Sequence, residues 1–533
     1  MLAFCPVLWY NKTMKKLKEA GTRTTETVTI SRAEYENLKS QNSELSQQVD
    51  WLLEQLRLAN KKRFGASSEK SGEELMDQMS LMFNEAEAYA APPVAKTEVA
   101  AHTRTKRSPR LDEVLPENVP VEVVEHRLSE EDRECPICGE TMAEIGKEVR
   151  RTLKIIPARV SIREDWYYTY ACRKCQTEGT ETPVVKTEKE PAVIPGSIAS
   201  PEAIAHIMVQ KFCMGSPLYR QEQEWERQGV KLSRQTMSHW ILRATEDWLK
   251  PVYDELHKRL VQRPVLHADE TALRVLHDPN THKKGYMWLY RTSGDGGPAI
   301  VLYDYQPNRK AEHAEDFLKG FSGYLHADGY QGYHRLPENI RVVGCWAHAR
   351  RKFDEALNAI PPDKREGSAA LTGLQYCGEL FAWEKRFEAL SAKERQEQRL
   401  KEEKPILDAL LSWADSISGS VAPKSALGKA LHYLREQWPY LIRYLEDGRL
   451  ELSNNRAERS IKPFVIGRKN FLFANTPLGA QGSAVIYSLI ETAKENGLDP
   501  YRYLLRLLTE APAQASIGED WCTKLLPNRD FIE

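Results

Sequence analysis

No apolar run in this sequence approaches the ~20 residues that a membrane-spanning helix needs, and no membrane partner is expected. Net charge is also missing. Seventy-five Lys and Arg stand against 76 Asp and Glu, a formal charge of -1, so the whole-chain balance points to no polyanionic partner. The apolar opening MLAFCPVLWY has no basic segment before it and no small-residue cleavage site after it, so it does not read as a signal peptide. Met14 is an alternative start, which would leave residues 1–13 untranslated. A disulfide framework is absent as well. Four of the nine cysteines form two CxxC pairs, and Cys5, Cys213, Cys345, Cys377 and Cys522 are scattered. The expectation is a reducing, cytoplasmic compartment.

What is present is ordinary soluble composition, 41% hydrophobic and 28% charged, over 533 residues. At roughly 100–200 residues per domain, that length implies three or four units. The charge is segregated. Arg104, Lys106, Arg107 and Arg110 form one acid-free stretch, and Arg341, Arg350, Arg351 and Lys352 another concentration of bases. Local basic patches of this kind bear on phosphate binding more than the sum does.

The expected organisation follows from patterning. After a tail (1–30), residues 31–65 read as a coiled-coil, leucine-zipper-like helix. Tyr35, Asn42, Val49 and Leu56 take one seam position, and Leu38, Leu45, Leu52 and Ala59 the other. Either this seam meets a partner helix, giving self-association, or the helix packs on its own domain. Residues 66–112 read as a short helix and a basic linker, either a solvated tether or a DNA-contacting arm.

Residues 113–190 read as a zinc-binding module. Cys135 and Cys138 form one CxxC knuckle and Cys172 and Cys175 another, with 33 residues between the two. Each knuckle presents two thiolates from a tight turn, so two complete a closed, structural Zn²⁺ tetrahedron. Tyr167, Tyr168 and Tyr170 suggest strands between them, and a redox CxxC is the competing reading. Residues 191–262 read as helical. A helix at Tyr219–Gln228, a turn at Gly229 and a second helix capped by Ser233 make either a helix-turn-helix or a plain hairpin. In the former, Arg234, Gln235 and Ser238 would face DNA.

From residue 263 the texture turns to strands. PVLHADET ends a strand at Asp269, Gly285–Ser293 and Pro298–Tyr305 follow, and Ala311–Phe321 is helical. Gly323–Tyr330 ends a strand at Asp328, and Arg341–His348 runs into a helix. This βββαβαβα order, with acids at the ends of its first and fourth strands, is that of a ribonuclease H-like core, here a first part at 263–355. Two converging carboxylates repel unless a divalent cation lies between them, and Mg²⁺ takes hard oxygen ligands. A helical insertion (356–450), a second core part (451–512) and a tail (513–533) complete the multidomain α/β chain. Within 451–512, Glu458 is the third acid, on a helix with Arg456, Arg459, Lys462, Arg468 and Lys469 around it. Taken alone, Glu458 reads more readily as a surface salt-bridge residue, the usual fate of a helical Glu. Glu270 should point to the strand face opposite Asp269. His267 and His326, each two residues before its Asp, either tune the acids or simply pack.

In order along the chain stand RFG with Ser and Glu at 63–69, the double CxxC, PLYRQE at 217–222 and DET at 269–271. DGY at 328–330, WAHARRKF at 346–353, NNRAER, GRKNFLF and LIETAKENGLDPYRYL follow. At these residues the sequence resembles the DDE transposases of the insertion-sequence 66 family. The resemblance implies a catalytic triad of Asp269, Asp328 and Glu458 holding two Mg²⁺ (or Mn²⁺) ions, and double-stranded DNA as substrate at element ends and target. It also implies accessory proteins of the same element and a bacterial, nucleoid-associated setting. Arg350 and Arg351, with His348, are expected near the DNA. A nuclease of the same fold that cleaves without joining, and an inactive transposase-derived DNA-binding regulator, are the alternatives.

Overall fold

The computed structural model describes residues 31–42 with 45, 48, 49, 52 and 53, then 160–171, 184–279, 285–294, 296–518 and 520–528. Cys135, Cys138, Cys172 and Cys175, the basic linker, the short helix before it and the N-terminal tail lie outside the described residues. Two compact units separate: Met1–Pro92, Glu190–Gln221 and Ser233–Glu533 in one, Pro93–Lys189 and Glu222–Leu232 in the other. No described helix is long and apolar enough to cross a membrane.

The N-terminal segment is helical over residues 32–42 and at the further described positions to 53. Its seam residues Tyr35, Leu38, Leu45, Val49 and Leu52 are all between 53% and 60% exposed. In the second unit, β1 (Thr169–Ala171) pairs antiparallel with β2 (Val184–Lys186), with Tyr170 opposite Val185. Of the three tyrosines only Tyr170 lies in this strand; Tyr167 and Tyr168 precede it outside any strand.

Ahead of the sheet the chain forms α1 (Pro201–Phe212), α2 (Leu218–Arg227), α3 (Arg234–Ala244) and α4 (Lys250–Leu260), with α2 passing from the first unit into the second at Glu222. Their starts follow local rules. Ser200 accepts from the Ala203 N–H ahead of a proline at the first helical turn, and Ser233 accepts from the Thr236 N–H. Gly229, with φ 84°, supplies the left-handed turn between α2 and α3. Arg234 and Gln235 are exposed at the start of α3, while Met237, Trp240, Ile241 and Ala244 are buried on its other face.

The sheet comprises β3 (Val265–Leu273), β4 (Gly285–Thr292), β5 (Val301–Gln306), β6 (Gly323–His326) and β7 (Ile340–Val343) in the order β5-β4-β3-β6-β7. The first three run antiparallel, and β6 and β7 add in parallel beside β3. α5 (Ala311–Phe317) leads from β5 to β6, and α6 (Trp346–Ala359) follows β7. Two boundaries differ from expectation. β3 does not stop at Asp269 but runs to Leu273, because antiparallel pairing with β4 continues as far as Gly285. β6 stops two residues before Asp328, where its parallel pairing ends opposite His267 and Val343.

Between α6 and the last helices lie α7 (Ala369–Phe387), α8 (Ala392–Gln398), α9 (Lys404–Ser418) and α10 (Ala426–Leu441). Their buried Leu380, Phe381, Leu410, Leu431 and Leu434 join one apolar core with Val265, Val343, Trp346 and Phe353. They are thus packed on the sheet's parallel edge through α6 and form no loose appendage. α11 (Asn455–Phe471), α12 (Pro477–Glu495), α13 (Pro500–Ser516) and α14 (Trp521–Lys524) close the chain. α12 covers the other edge: Val301 and Tyr303 donate their N–H groups to Thr492 and Ser488 hydroxyls at 3.0 and 2.7 Å. Edge donors of β5 are satisfied this way, which removes a template for unwanted strand pairing.

Candidate active site

The parallel register sets His267 opposite His326, so Asp269 and Asp328 leave adjacent strands at the same level. There β3 has lost its parallel neighbour and retains only β4, which leaves room beside Asp269. The Glu270 N–H donates to the Asp269 carboxylate at 2.8 Å, and the Tyr330 N–H to that of Asp328 at 2.9 Å. Each carboxylate is thereby oriented by its own loop or strand backbone. Gly329 permits the Asp328 loop to lie against α10, since a Cβ there would meet Tyr433 at 2.9 Å and Gln437 at 3.1 Å.

Glu458 enters from the first turn of α11 and is 6% exposed. Asn454, just before the helix, fixes that turn to the sheet. Its Nδ2 donates to the Ala268 carbonyl at 2.8 Å, and its Oδ1 lies 3.0 Å from His267 Nδ1. With Nδ2 committed to a carbonyl, Oδ1 is an acceptor and the histidine must donate. Its ring stacks on His326 at 4.4 Å, and the Glu451 N–H donates to His326 Nε2 at 3.2 Å. Burial pushes His267 down to about 3 and His326 well below its ordinary range. Both are neutral packing groups that join the sheet to the α11 turn.

The acids are electrostatically joined. Burial first, then the charges of Glu270, Asp328 and Glu458, hold the Asp269 carboxyl well above the usual aspartate range. Glu458 Oε1 is buried with no hydrogen-bond partner among the described residues. An orphaned carboxylate oxygen whose charge reaches Asp269 has the chemistry of a ligand for a hard divalent cation. His348 Nε2 stands 3.8 Å from Glu458, and an Arg351 nitrogen 3.7 Å. The Cys345 sulfur, a His348 nitrogen and a Glu458 oxygen lie within 4.8 Å of one another. Cys345 Sγ accepts from the Asn454 N–H at 3.2 Å, and burial pushes its thiol up to about 12. It serves as a packed acceptor.

Several residues here carried no sequence signal. Arg309 donates to Glu270 at 2.7 Å, approaches Asp328 at 4.0 Å and stacks over Tyr330 at 3.9 Å. Tyr333 donates to Glu270 at 2.5 Å. Glu270 was expected to face away from Asp269, yet through Arg309 it is tied to Asp328. These are long-range contacts from loops whose folded path no local pattern encodes.

The bases are divided. Arg459 and Lys469 are exposed, and Arg351, Arg456 and Lys462 half-buried. Arg350 is 5% exposed, turned into the interior. Arg468 donates to the Thr271 hydroxyl at 3.0 Å and to the Ala272 carbonyl, fastening α11 to β3.

The chain matches the family model described as Transposase IS66 family over residues 196–482, which holds all three acids. The zinc-finger binding domain of transposase IS66 matches over 132–176, which holds both CxxC pairs. Further matches are Transposase C of IS166 homeodomain over 51–124 and the IS66 C-terminal element over 488–527. Among curated relatives are three proteins of Sinorhizobium fredii (strain NBRC 101917 / NGR234), each described as uncharacterized. The first, y4jD, is 34% identical over 72% of this chain and 75% of its own length. y4hP is 30% identical over 83% and 82%, and y4qI 29% identical over 90% and 88%. The chain belongs to the IS66 family of transposases.

Proposed function

We propose that the chain is a DDE-type DNA transposase with a ribonuclease H-like core, cleaving strands at insertion-sequence ends and joining them to target DNA. What supports this reading is that Asp269, Asp328 and Glu458 interact electrostatically: the Asp269 carboxyl is raised first by burial, then by the charges of Glu270, Asp328 and Glu458. Asp269, Asp328 and Glu458 would hold the metals. Two Mg²⁺ or Mn²⁺ ions bound there would supply Lewis-acid stabilisation of the attacking and leaving oxygens.

The chain's own residues account for the rest. In the first step a water oxygen bonds to phosphorus, the P–O3′ bond breaks, and the 3′ oxygen takes up a proton. In the second, that 3′-hydroxyl attacks a target phosphodiester, losing its proton as another P–O3′ bond breaks. Arg351, Arg456, Arg459, Lys462 and Lys469 would bind the phosphate backbone and position it over the acids. Arg309 balances part of the charge of Glu270 and Asp328, so the cluster is held together before substrate arrives. The buried Arg350 and the β3-bound Arg468 take structural places, and neither is assigned to DNA here.

Arg234 and Gln235, exposed at the start of α3, are assigned to recognition of the element end. The exposed seam from Tyr35 to Leu52 favours self-association through the coiled coil. Accessory proteins of the same element are expected partners, and a cytoplasmic, nucleoid-associated location follows from the substrate.

Zinc is assigned to Cys135, Cys138, Cys172 and Cys175 as a structural ion. A Cys135→Ser, Cys172→Ser double variant should lose the protein's bound zinc by elemental analysis and leave the carboxylate site intact. Unchanged zinc content would refute the assignment. The functional reading is tested by incubating the wild type with Mg²⁺ and duplexes carrying the ends of its parent element. Joined products are expected; cleavage without joining would favour a nuclease, and binding alone an inactive regulator.

A further inference from the structure

Among the described residues Leu472 is the one non-glycine residue with positive φ, at 64° with ψ −39°. The Phe473 N–H donates to the Phe471 carbonyl at 2.7 Å, closing a three-residue γ-turn centred on Leu472. A γ-turn of this hand is rare and strained, and such strain persists only where its surroundings impose it. They do so here on both sides. The Leu472 N–H is bound by the Arg468 carbonyl at 2.8 Å. Ala474 bridges Val275, with the Ala474 N–H donating to the Arg274 carbonyl at 2.9 Å and the Leu276 N–H returning to Ala474 at 3.1 Å.

The result is an apolar tip held rigidly outward: Leu472 is 66% and Phe473 39% exposed. Strain that hides no apolar surface serves folding poorly. The tip ends a basic helix face, on which Arg459, Lys462, Ile466 and Lys469 recur at helical spacing. The stretch from Arg459 to Phe473 contains four bases and no acid. That charge selects a polyanion, and Glu458 of the acid cluster stands in the first turn of the same helix. At about 1.5 Å per residue, Leu472 stands roughly 21 Å along the helix from Glu458, the length of about six stacked base pairs.

We propose that Leu472 and Phe473 form an apolar wedge that enters the base stack of the element-end duplex about half a turn from the cleaved phosphate. The proposal rests on the DNA-transposase reading above. Basic residues on the α11 face hold the backbone, and the rigid tip unstacks one base step, as apolar side chains do in DNA-bending proteins. A mobile tip would fold back on the protein instead of staying outward, and the γ-turn prevents this.

The test uses the full chain and duplexes copied from the ends of its parent element, with 2-aminopurine at successive positions inward. Ca²⁺ replaces Mg²⁺ so that binding proceeds without cleavage. The wild type should raise fluorescence several-fold at one interior step. A Leu472→Ser, Phe473→Ser variant should lose that rise while keeping its affinity and its salt dependence, since the phosphate contacts remain. Leu472→Gly, which relaxes the turn and removes the side chain, should lose part of the rise with no fall in melting temperature. Fluorescence unchanged in the variants would overturn the wedge. So would altered sedimentation of the DNA-free variant with the rise retained, which would make the tip a contact between copies. Failure of the wild type to bind these ends at all would instead overturn the DNA reading, and the wedge with it.

Discussion

Asp269→Asn should abolish strand cleavage, by on the order of 10³-fold or more, while leaving DNA affinity nearly unchanged. One oriented hydrogen-bond donor at a phosphoryl or acyl centre is worth about 10²–10³-fold. A carboxylate that holds metal against the reacting phosphate should be worth at least as much. The same substitution should leave the metal-free protein as stable as the wild type or more so. Asp269's carboxyl is raised by burial and by Glu270, Asp328 and Glu458, so folding carries an unfavourable charge that the amide lacks. The sign follows from linkage. A raised acid binds more protons folded than unfolded, so its contribution is present at low pH. It is lost as pH climbs from about 3.8 through the raised value. Stability measured in EDTA should therefore fall over that interval in the wild type and fall less in Asp269→Asn. Cleavage and binding lost together, with a lowered melting temperature, would mean misfolding and would remove the argument.

The largest stability loss is expected at Arg399→Met, a residue outside the acid triad. Arg399 is fully buried and lies in a five-residue π-helical segment between α8 and α9. Its guanidinium grips Glu384 through two hydrogen bonds of 2.6 Å. It also donates to the carbonyls of Tyr444, Asp447 and Leu450 at 3.0, 3.2 and 2.8 Å. Those carbonyls belong to the segment that leaves the insertion and runs into Asn454 and Glu458. Methionine fills the volume but leaves three carbonyls and a carboxylate without their donor. Breaking a buried pair from one side costs about 3–5 kcal/mol. Urea unfolding should show a loss of that order. Because the freed segment positions Glu458, residual activity should fall more steeply with temperature than the wild type's. A loss under about 1 kcal/mol would show that solvent reaches these groups and that the grip is not structural.

How much of this was legible beforehand depends on how local each signal is. Strand and helix order from Val265 to Trp346 could be read from patterning, because apolar runs and capping residues act within a few positions. The ends of β3 and β6 could not, since pairing partners far along the chain decide where a strand stops. Asn454 is one letter of the NNRAER phrase, and nothing local marks its role. Its fastening of α11 to Ala268 and His267 depends on a register set by residues almost two hundred positions away. Arg309, Tyr333 and the γ-turn at Leu472 left no local trace. Basic residues were visible but their placement was not, because Arg350 and Arg468 look like their exposed neighbours until packing turns them inward.

The central claim is that Asp269, Asp328 and Glu458 act as one metal-dependent centre for cutting and joining DNA. The most direct test is strand joining on element-end duplexes with Mg²⁺, wild type beside Glu458→Gln, with folding of both confirmed by circular dichroism. The account expects joined products from the wild type and none from the variant, at equal DNA occupancy. Joining by Glu458→Gln at the wild-type rate would contradict it.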